Sequence, residues 1–256
     1  MKLMVESTIR RNQALTKDIF QMDLMVGELA RMAKPGQFLN LYPGEGTMLL
    51  PRPISISEID AEEGVLRVIY QTVGKGTALF SKKKPGQTVR VLGPLGNGFS
   101  PQTGAKHHLI VGGGIGVPPL VELAKQLEGT VEAYIGVRSE PILVDRLQEL
   151  GAIVHVATDD GSRGFHGNVV QMMEATGAKG DALYACGPKV MLRFVTKWAL
   201  ENNIRPQVSM EERMACGIGA CVGCVVKIKK QGETDWQYRK VCKDGPVFYG
   251  DEVVWE

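Results

Sequence analysis

A chain of 256 residues, 44% apolar and 23% charged, is long enough to build two or three small domains with real cores. Its 30 basic and 28 acidic residues leave a formal charge of +2 without a long like-charge block, which argues against a nucleic-acid or membrane surface. Residues 1–12 lack the apolar core of a signal peptide, the apolar stretch 109–121 is broken by glycines and prolines, and the five cysteines are odd in number, so a cytoplasmic, reducing location is expected.

The first hundred residues read as short strands at 38–42, 65–70 and 89–92, punctuated by Pro35-Gly36, Pro43-Gly44 and Pro85-Gly86. Such a rhythm predicts a β-barrel over residues 1–100. Within it, Arg52-Pro53-Ile54-Ser55 sets a permanent cation beside a rigid turn and a hydroxyl, and Arg suits bidentate phosphate binding. Next comes Gly74-Lys75-Gly76-Thr77, which runs into the helix-like Ala78-Leu79-Phe80. Glycines leading into a helix amino terminus make an anion site, because free N–H groups and the dipole face the ligand. This is not a Walker phosphate loop, since Ser or Thr does not directly follow Gly-Lys. An Arg-Pro pair alone is more often a structural turn; the order of the two motifs inside a barrel is what points to a nucleotide cofactor.

Near residues 93–98 the texture changes to alternating strand and helix patterns, which predicts a parallel sheet with covering helices over residues 101–207. Strands are expected at 109–111, 131–137, 153–157 and 182–185, and helices at 119–127 and 189–201. The first strand ends in Gly112-Gly113-Gly114-Ile115-Gly116, where a pyrophosphate site would sit, although Pro119 stands where the third glycine of G-x-G-x-x-G belongs. A second strand-to-helix junction carries Cys186-Gly187-Pro188. Both loops fall at the carboxyl edge of one sheet, where open α/β folds bind ligands.

The last block, residues 208–256, holds four cysteines spaced Cys216-x4-Cys221-x2-Cys224 with seventeen residues before Cys242. The first three follow the plant-type ferredoxin run. Gly217, Gly219 and Gly223 allow a tight loop whose N–H groups can point at sulfur. Alternating patterns at 225–229 and 236–241, joined by a turn at Gly232, predict a hairpin that brings Cys242 back beside Cys224. A four-cysteine zinc site normally uses two C-x2-C knuckles and only one is present. The reading is a [2Fe-2S] cluster on Cys216, Cys221, Cys224 and Cys242.

Together these motifs resemble the ferredoxin–NADP reductase superfamily: Arg52 to Ser55 its flavin motif, Gly112 to Pro119 its first nicotinamide loop, Cys186 to Pro188 its second. In length, motif order and cysteine spacing the chain resembles the electron-transfer subunits of class 1B dihydroorotate dehydrogenases. That resemblance implies an α+β multidomain protein: a β-barrel FAD domain, an α/β parallel-sheet nicotinamide domain and a small carboxyl-terminal [2Fe-2S] domain. It implies FAD on Arg52, Pro53, Ile54, Ser55, Ile69, Tyr70, Gln71, Gly76 and Thr77, with Ser55 near the reactive flavin edge. It further implies NAD as co-substrate, on Gly112, Gly113, Gly114, Gly116, Gly187 and Pro188, with Cys186 against the nicotinamide. The implied partner is an FMN-containing subunit that oxidises dihydroorotate in pyrimidine synthesis, in a heterotetramer of two copies of each, without nucleic acid or membrane. Subunits of ferredoxin-dependent transhydrogenases and of some hydrogenases share the plan. The residues alone leave NAD and NADP open, since Arg138-Ser139 could take a 2′-phosphate and Glu140 a ribose hydroxyl.

A reading from another class, a zinc-stapled interaction module without redox chemistry, would make the glycine loops mere turns. His107, His108, His155 and His166 are scattered and read as structural or surface residues. The pairs Asp159-Asp160 and Glu211-Glu212, and Lys227, Lys229 and Lys230, read as solvated charge.

Overall fold

The structure, a computed structural model, describes residues 2–44 and 48–255; Met1, residues 45–47 and Glu256, which fall in the expected first and last blocks, lie outside it. β1 (Leu3–Ala14), β2 (Ile19–Met25), β3 (Phe38–Tyr42), β4 (Arg52–Asp60), β5 (Val65–Gln71) and β6 (Thr88–Leu95) close an antiparallel barrel in the order β1-β2-β5-β4-β3-β6. Strand alternation turns Leu39, Leu41, Ile56, Leu66, Val68, Val89 and Val91 into one core, and closure leaves no unpaired edge. Two short helices, α1 (Glu28–Met32) and α2 (Lys75–Lys82), interrupt the strands. α2 is anchored at its carboxyl-terminal end: Phe80 is fully buried edge-on against Tyr70, and Asn12 Nδ2 donates to the carbonyls of Phe80 and Lys83 at 2.8 Å each.

The second layer system alternates β7 (His107–Gly113), α3 (Pro118–Gln126), β8 (Thr130–Val137), α4 (Val144–Glu149), β9 (Ile153–Thr158), β10 (Phe165–His166), α5 (Val169–Thr176), β11 (Ala182–Cys186), α6 (Lys189–Glu201) and β12 (Gln207–Ser209). These strands are parallel in the order β10-β9-β8-β7-β11-β12. Chain order runs outward in both directions from β7, so the topological switch point lies between β7 and β11. The carboxyl ends of those two strands carry the Gly112–Gly116 and Cys186–Pro188 loops, which is where this architecture opens a ligand crevice.

An Arg146–Glu58 ion pair and bonds from α3 to the Ile59 backbone join barrel to sheet, and Lys125 Nζ donates to the Ile59 carbonyl at 2.8 Å. Glu122 on α3, 2% exposed, accepts the Ile59 N–H at 2.7 Å. Arg146 on α4 bonds Glu58 on β4, which also pairs with Arg67, and Arg67 holds Asp23 on β2. Both anions are nearly buried and each is met by a guanidinium, as burial of charge requires.

The carboxyl-terminal segment forms the expected hairpin, β13 (Val225–Ile228) with β14 (Gln237–Lys240), in register Val225↔Lys240. Its last strand, β15 (Val247–Tyr249), then joins the large sheet antiparallel to β12. The segment is therefore stitched into the nicotinamide-type sheet, which the spacing of cysteines could not reveal. Phe38 and Leu95 of the barrel share one apolar core with Cys224, Val226 and Cys242.

Candidate functional site

The residues singled out in the sequence fall on the barrel, in the cleft between barrel and sheet, and on the cysteine hairpin packed against the barrel. On the barrel, β4 faces its neighbours with Ile54 and Ile56 toward the core, so Pro53 and Ser55 point outward, half-exposed in the case of Ser55. Arg52 folds back to donate to the Leu50 and Pro51 carbonyls at 2.8 and 3.3 Å. Its guanidinium lies against the amino terminus of α2: a Cβ on Gly76 would come 2.5 Å from Arg52 Nε. The barrel thus joins the two anion motifs that the sequence holds 24 positions apart. Among the described residues no carboxylate neutralises Arg52. A cation beside unpaired first-turn N–H groups is a cradle for a pyrophosphate.

Thr77 shapes this cradle rather than lining it. Its hydroxyl accepts the N–H groups of Val73 and Gly74 at 3.1 and 3.3 Å and donates to the Gly74 carbonyl at 3.1 Å. Ile69 and Tyr70 have buried side chains, with the Tyr70 hydroxyl on Asn12 at 3.1 Å, so their backbone is what they can offer a ligand. Gln71 does reach the neighbouring cleft. Its amide donates to Asp18 at 2.6 Å, and that bond holds the Asp18 carboxyl below its ordinary pKa.

The cleft occupies about 890 Å3 between barrel and sheet. Thr16, Asp18, Ile19 and Gln71 form one wall; Gly113, Gly114 and Pro188 form the other, with Arg138, Glu140 and Asp159 at one end. Phe194, 55% exposed on α6, and Val190 also face it. Asp159 is thus a cleft residue, although it reads as a loop charge. Gly112, Gly116 and Gly187 stand behind this surface. Gly116 lets the two loops touch, since a Cβ there would fall 2.5 Å from the Cys186 carbonyl carbon and 2.7 Å from Gly187 Cα.

Cys186, expected against a nicotinamide, is 1% exposed and does not line the cleft. Desolvation raises its thiol pKa, with the Glu211 charge adding to the rise and a Ser209 hydrogen bond opposing it. The thiol stays neutral. Glu211 is exposed, as the solvated reading expects, although desolvation raises its carboxyl pKa. Nothing in the local sequence distinguishes it from Glu212; its environment comes from β12 ending beside Cys186.

The four cysteines of the hairpin loop converge as two pairs. Cys216 interacts with Cys221, and Cys224 with Cys242, while the Cys216 charge also reaches Cys242. Backbone N–H groups of Ile218 and Cys221 point at Cys216 Sγ, at 3.5 and 3.4 Å. Burial pushes the Cys216 thiol up, but these donors outweigh it and bring it down to about 6. Among the described residues no three His, Cys, Asp or Glu side chains close around a single ion position. Two thiol pairs served by inward N–H groups fit a two-iron cluster, whose irons take two thiolates each. Lys240 braces the loop by donating to the Gly219 carbonyl at 2.7 Å.

The histidines stand apart from these residues: His166 is exposed, and His108 Nε2 lies 3.0 Å from the Glu128 carbonyl. His107 and His155 flank Glu132 at 2.8 and 3.5 Å, and the Tyr134 hydroxyl donates to the same carboxylate at 2.7 Å. No helix among the described residues is long and apolar enough to cross a membrane.

Comparison with known proteins agrees with this geometry. A family model described as the iron-sulfur cluster binding domain of dihydroorotate dehydrogenase B matches residues 211–254. The chain is 42% identical over 255 residues to the dihydroorotate dehydrogenase B (NAD(+)) electron transfer subunit of Bacillus caldolyticus, covering 96% of this chain and 97% of that one. It is 43% identical over 258 residues to the protein of the same description from Enterococcus faecalis (strain ATCC 47077 / OG1RF), with 96% and 97% covered. Among solved structures, one reported for flavin-based electron bifurcation by an NADH-dependent reduced ferredoxin-NADP oxidoreductase superposes with a TM-score of 0.86 at 30% identity, over 98% of this chain and 90% of that one. A ferredoxin NADP+ reductase from Neisseria gonorrhoeae with bound FAD and NADP shares the fold, with a TM-score of 0.68 at 20% identity, over 81% of this chain and 99% of that one.

Proposed function

The chain belongs to the family of dihydroorotate dehydrogenase B electron transfer subunits, and from that premise we propose how its own residues carry electrons from a partner to NAD+. The observation that carries the reading is the placement of two thiol pairs on the outer face of the barrel, beside the strand whose Arg52 meets Gly76.

Cys216, Cys221, Cys224 and Cys242 hold the [2Fe-2S] cluster. Arg52 and the first turn of α2 hold the FAD pyrophosphate, Pro53 and Ile54 set the strand, and Ser55 faces the reactive flavin edge. The backbone of Ile69 and Tyr70 and the Asp18-oriented amide of Gln71 complete that site. Gly113, Gly114 and Pro188 receive the dinucleotide, with Gly112, Gly116 and Gly187 allowing the loops to pack. Cys186, neutral and buried, serves as the floor behind the nicotinamide rather than as an ionised group. When bound, the cluster would supply single-electron transfer and the flavin would take two electrons one at a time with a proton and pass them on as a hydride. The protein's work is to hold, orient and exclude water.

In this reading residues 1–100 bind flavin, 101–207 bind the nicotinamide and 208–256 bind the cluster. The partner is an FMN-bearing dihydroorotate-oxidising subunit, in a heterotetramer of two copies of each, and the assembly works in the cytoplasm. The likeness to the bifurcating oxidoreductase, at lower identity, keeps a ferredoxin-linked transhydrogenase as the second reading. Reconstitution separates them. With the family's FMN subunit added, dihydroorotate should drive NAD+ reduction, and the chain alone should not oxidise dihydroorotate. Coupling to reduced ferredoxin but not to that subunit would favour the second reading.

A further inference from the structure

A single buried side chain ties the cluster loop to β3, the strand beside the flavin strand. On β3, Leu39 and Leu41 enter the barrel core, and alternation turns Phe38 and Asn40 outward. Asn40 is 0% exposed there, and its Nδ2 donates to the carbonyl of Cys216 at 3.0 Å. Across the sheet its neighbour on β4 is Pro53, as Ser55 is the neighbour of Phe38. From the other side Gly217, at φ +65°, closes down so far that a Cβ would lie 2.6 Å from Asn40 Oδ1. Only a glycine fits that approach and that backbone angle.

The same amide carries an unresolved cost. Asn40 Oδ1 is buried and has no hydrogen-bond partner among the described residues. An apolar side chain of similar volume would avoid leaving an acceptor unpaired, so the amide calls for an explanation beyond packing. Its donor end provides one. The groups behind a metal ligand orient that ligand, and Asn40 orients Cys216.

We infer that Asn40 is a positioning residue for electron exchange between cluster and flavin, seating the first cluster ligand on the strand that pairs with Arg52-Pro53-Ile54-Ser55. The inference rests on the proposed function above. One-electron exchange needs a short and fixed gap. Asn40 fixes it by one hydrogen bond that joins the ligand loop to β3, the neighbour of the flavin strand, without touching the thiols.

The test uses the full chain, purified anaerobically with its cofactors, as Asn40→Ala, Asn40→Asp and Gly217→Ala. Asn40→Ala should lose its cluster to a chelator roughly 10-fold faster or more, the scale for removing a group that orients a metal ligand, while FAD content stays at the parent level. Flavin-to-cluster transfer, followed by stopped flow after NADH addition, should slow by a similar factor. Asn40→Asp should in addition lower the cluster's midpoint potential relative to Asn40→Ala, because it places negative charge beside Cys216. Gly217→Ala drives a methyl into the same amide and should reproduce the rapid cluster loss, so a poorly folded Asn40 variant leaves the test standing. Cluster retention, potential and transfer rate within about twofold of the parent in all three variants would overturn the inference, being well short of the expected loss. A parent chain that holds neither FAD nor cluster would instead overturn the proposed function.

Discussion

Replacing Arg52 by Ala removes from the amino terminus of α2 a guanidinium that, among the described residues, pairs with no carboxylate. In the structure its polar contacts are the Leu50 and Pro51 carbonyls, both local, and it faces Gly76 across a gap too narrow for a Cβ. Loss of a hydrogen bond to a charged group costs about 1.5–3 kcal/mol. That converts to roughly one to two decades in the FAD dissociation constant. The barrel itself should be little affected, because Arg52 anchors no buried anion among the described residues; unfolding of the flavin-free form should shift by no more than about 1 kcal/mol. The assay is flavin fluorescence released after exhaustive dialysis, with a titration of the flavin-free protein for the constant. An FAD affinity equal to that of the parent would refute the assignment of Arg52 and α2 as the pyrophosphate cradle. An equally weakened variant with a collapsed barrel would refute the claim that the residue acts locally.

Two further outcomes follow from packing and charge. Gly116→Ala forces a Cβ into the Cys186-Gly187 backbone and should cost about 1–3 kcal/mol by overpacking; it should raise the Michaelis constant for NADH while FAD and cluster absorbance persist, and an unchanged constant would remove the two loops from the nicotinamide site. The Asp18 carboxylate is favoured by the Gln71 amide, so its pKa is lowered; the contact is complete above the ordinary carboxylate pKa and is lost as pH falls through the lowered value. Side-chain amide resonances of Gln71 should therefore hold steady from about pH 8 to about pH 5 and move only in more acid solution, whereas movement near neutrality would show that the bond does not form.

Sequence legibility divided along the distance between interacting residues. The cysteine loop was readable because Cys216, Cys221 and Cys224 lie within nine consecutive residues and the hairpin that returns Cys242 is written in local alternation. The strand–glycine–helix junctions were readable for the same reason. The meeting of Arg52 with Gly76 could be suspected from motif order, but only closure of the barrel makes it contact. Asn40 left no signal, since its partner, Cys216, is 176 positions away. Cys186 and Glu211 show the limit from the other side. The family resemblance implied a nicotinamide contact for one and residue type a solvated charge for the other, while burial of the thiol and desolvation of the carboxyl follow from how β11, β12 and the Gly116 loop stack. The insertion of β15 into the large sheet depends on pairing with β12, which three residues of strand cannot announce.

The central claim is that one chain holds a flavin and a cluster that exchange electrons, with NADH entering at the flavin. The most direct measurement is an anaerobic NADH titration of the parent chain and of Cys221→Ser, followed by visible absorbance and low-temperature electron paramagnetic resonance. In the parent, NADH should bleach the flavin and raise the signal of a reduced [2Fe-2S] cluster; in Cys221→Ser the flavin should still bleach and the cluster signal should be missing. A colourless parent carrying one zinc ion, or a flavin lost together with the cluster in the variant, would contradict it.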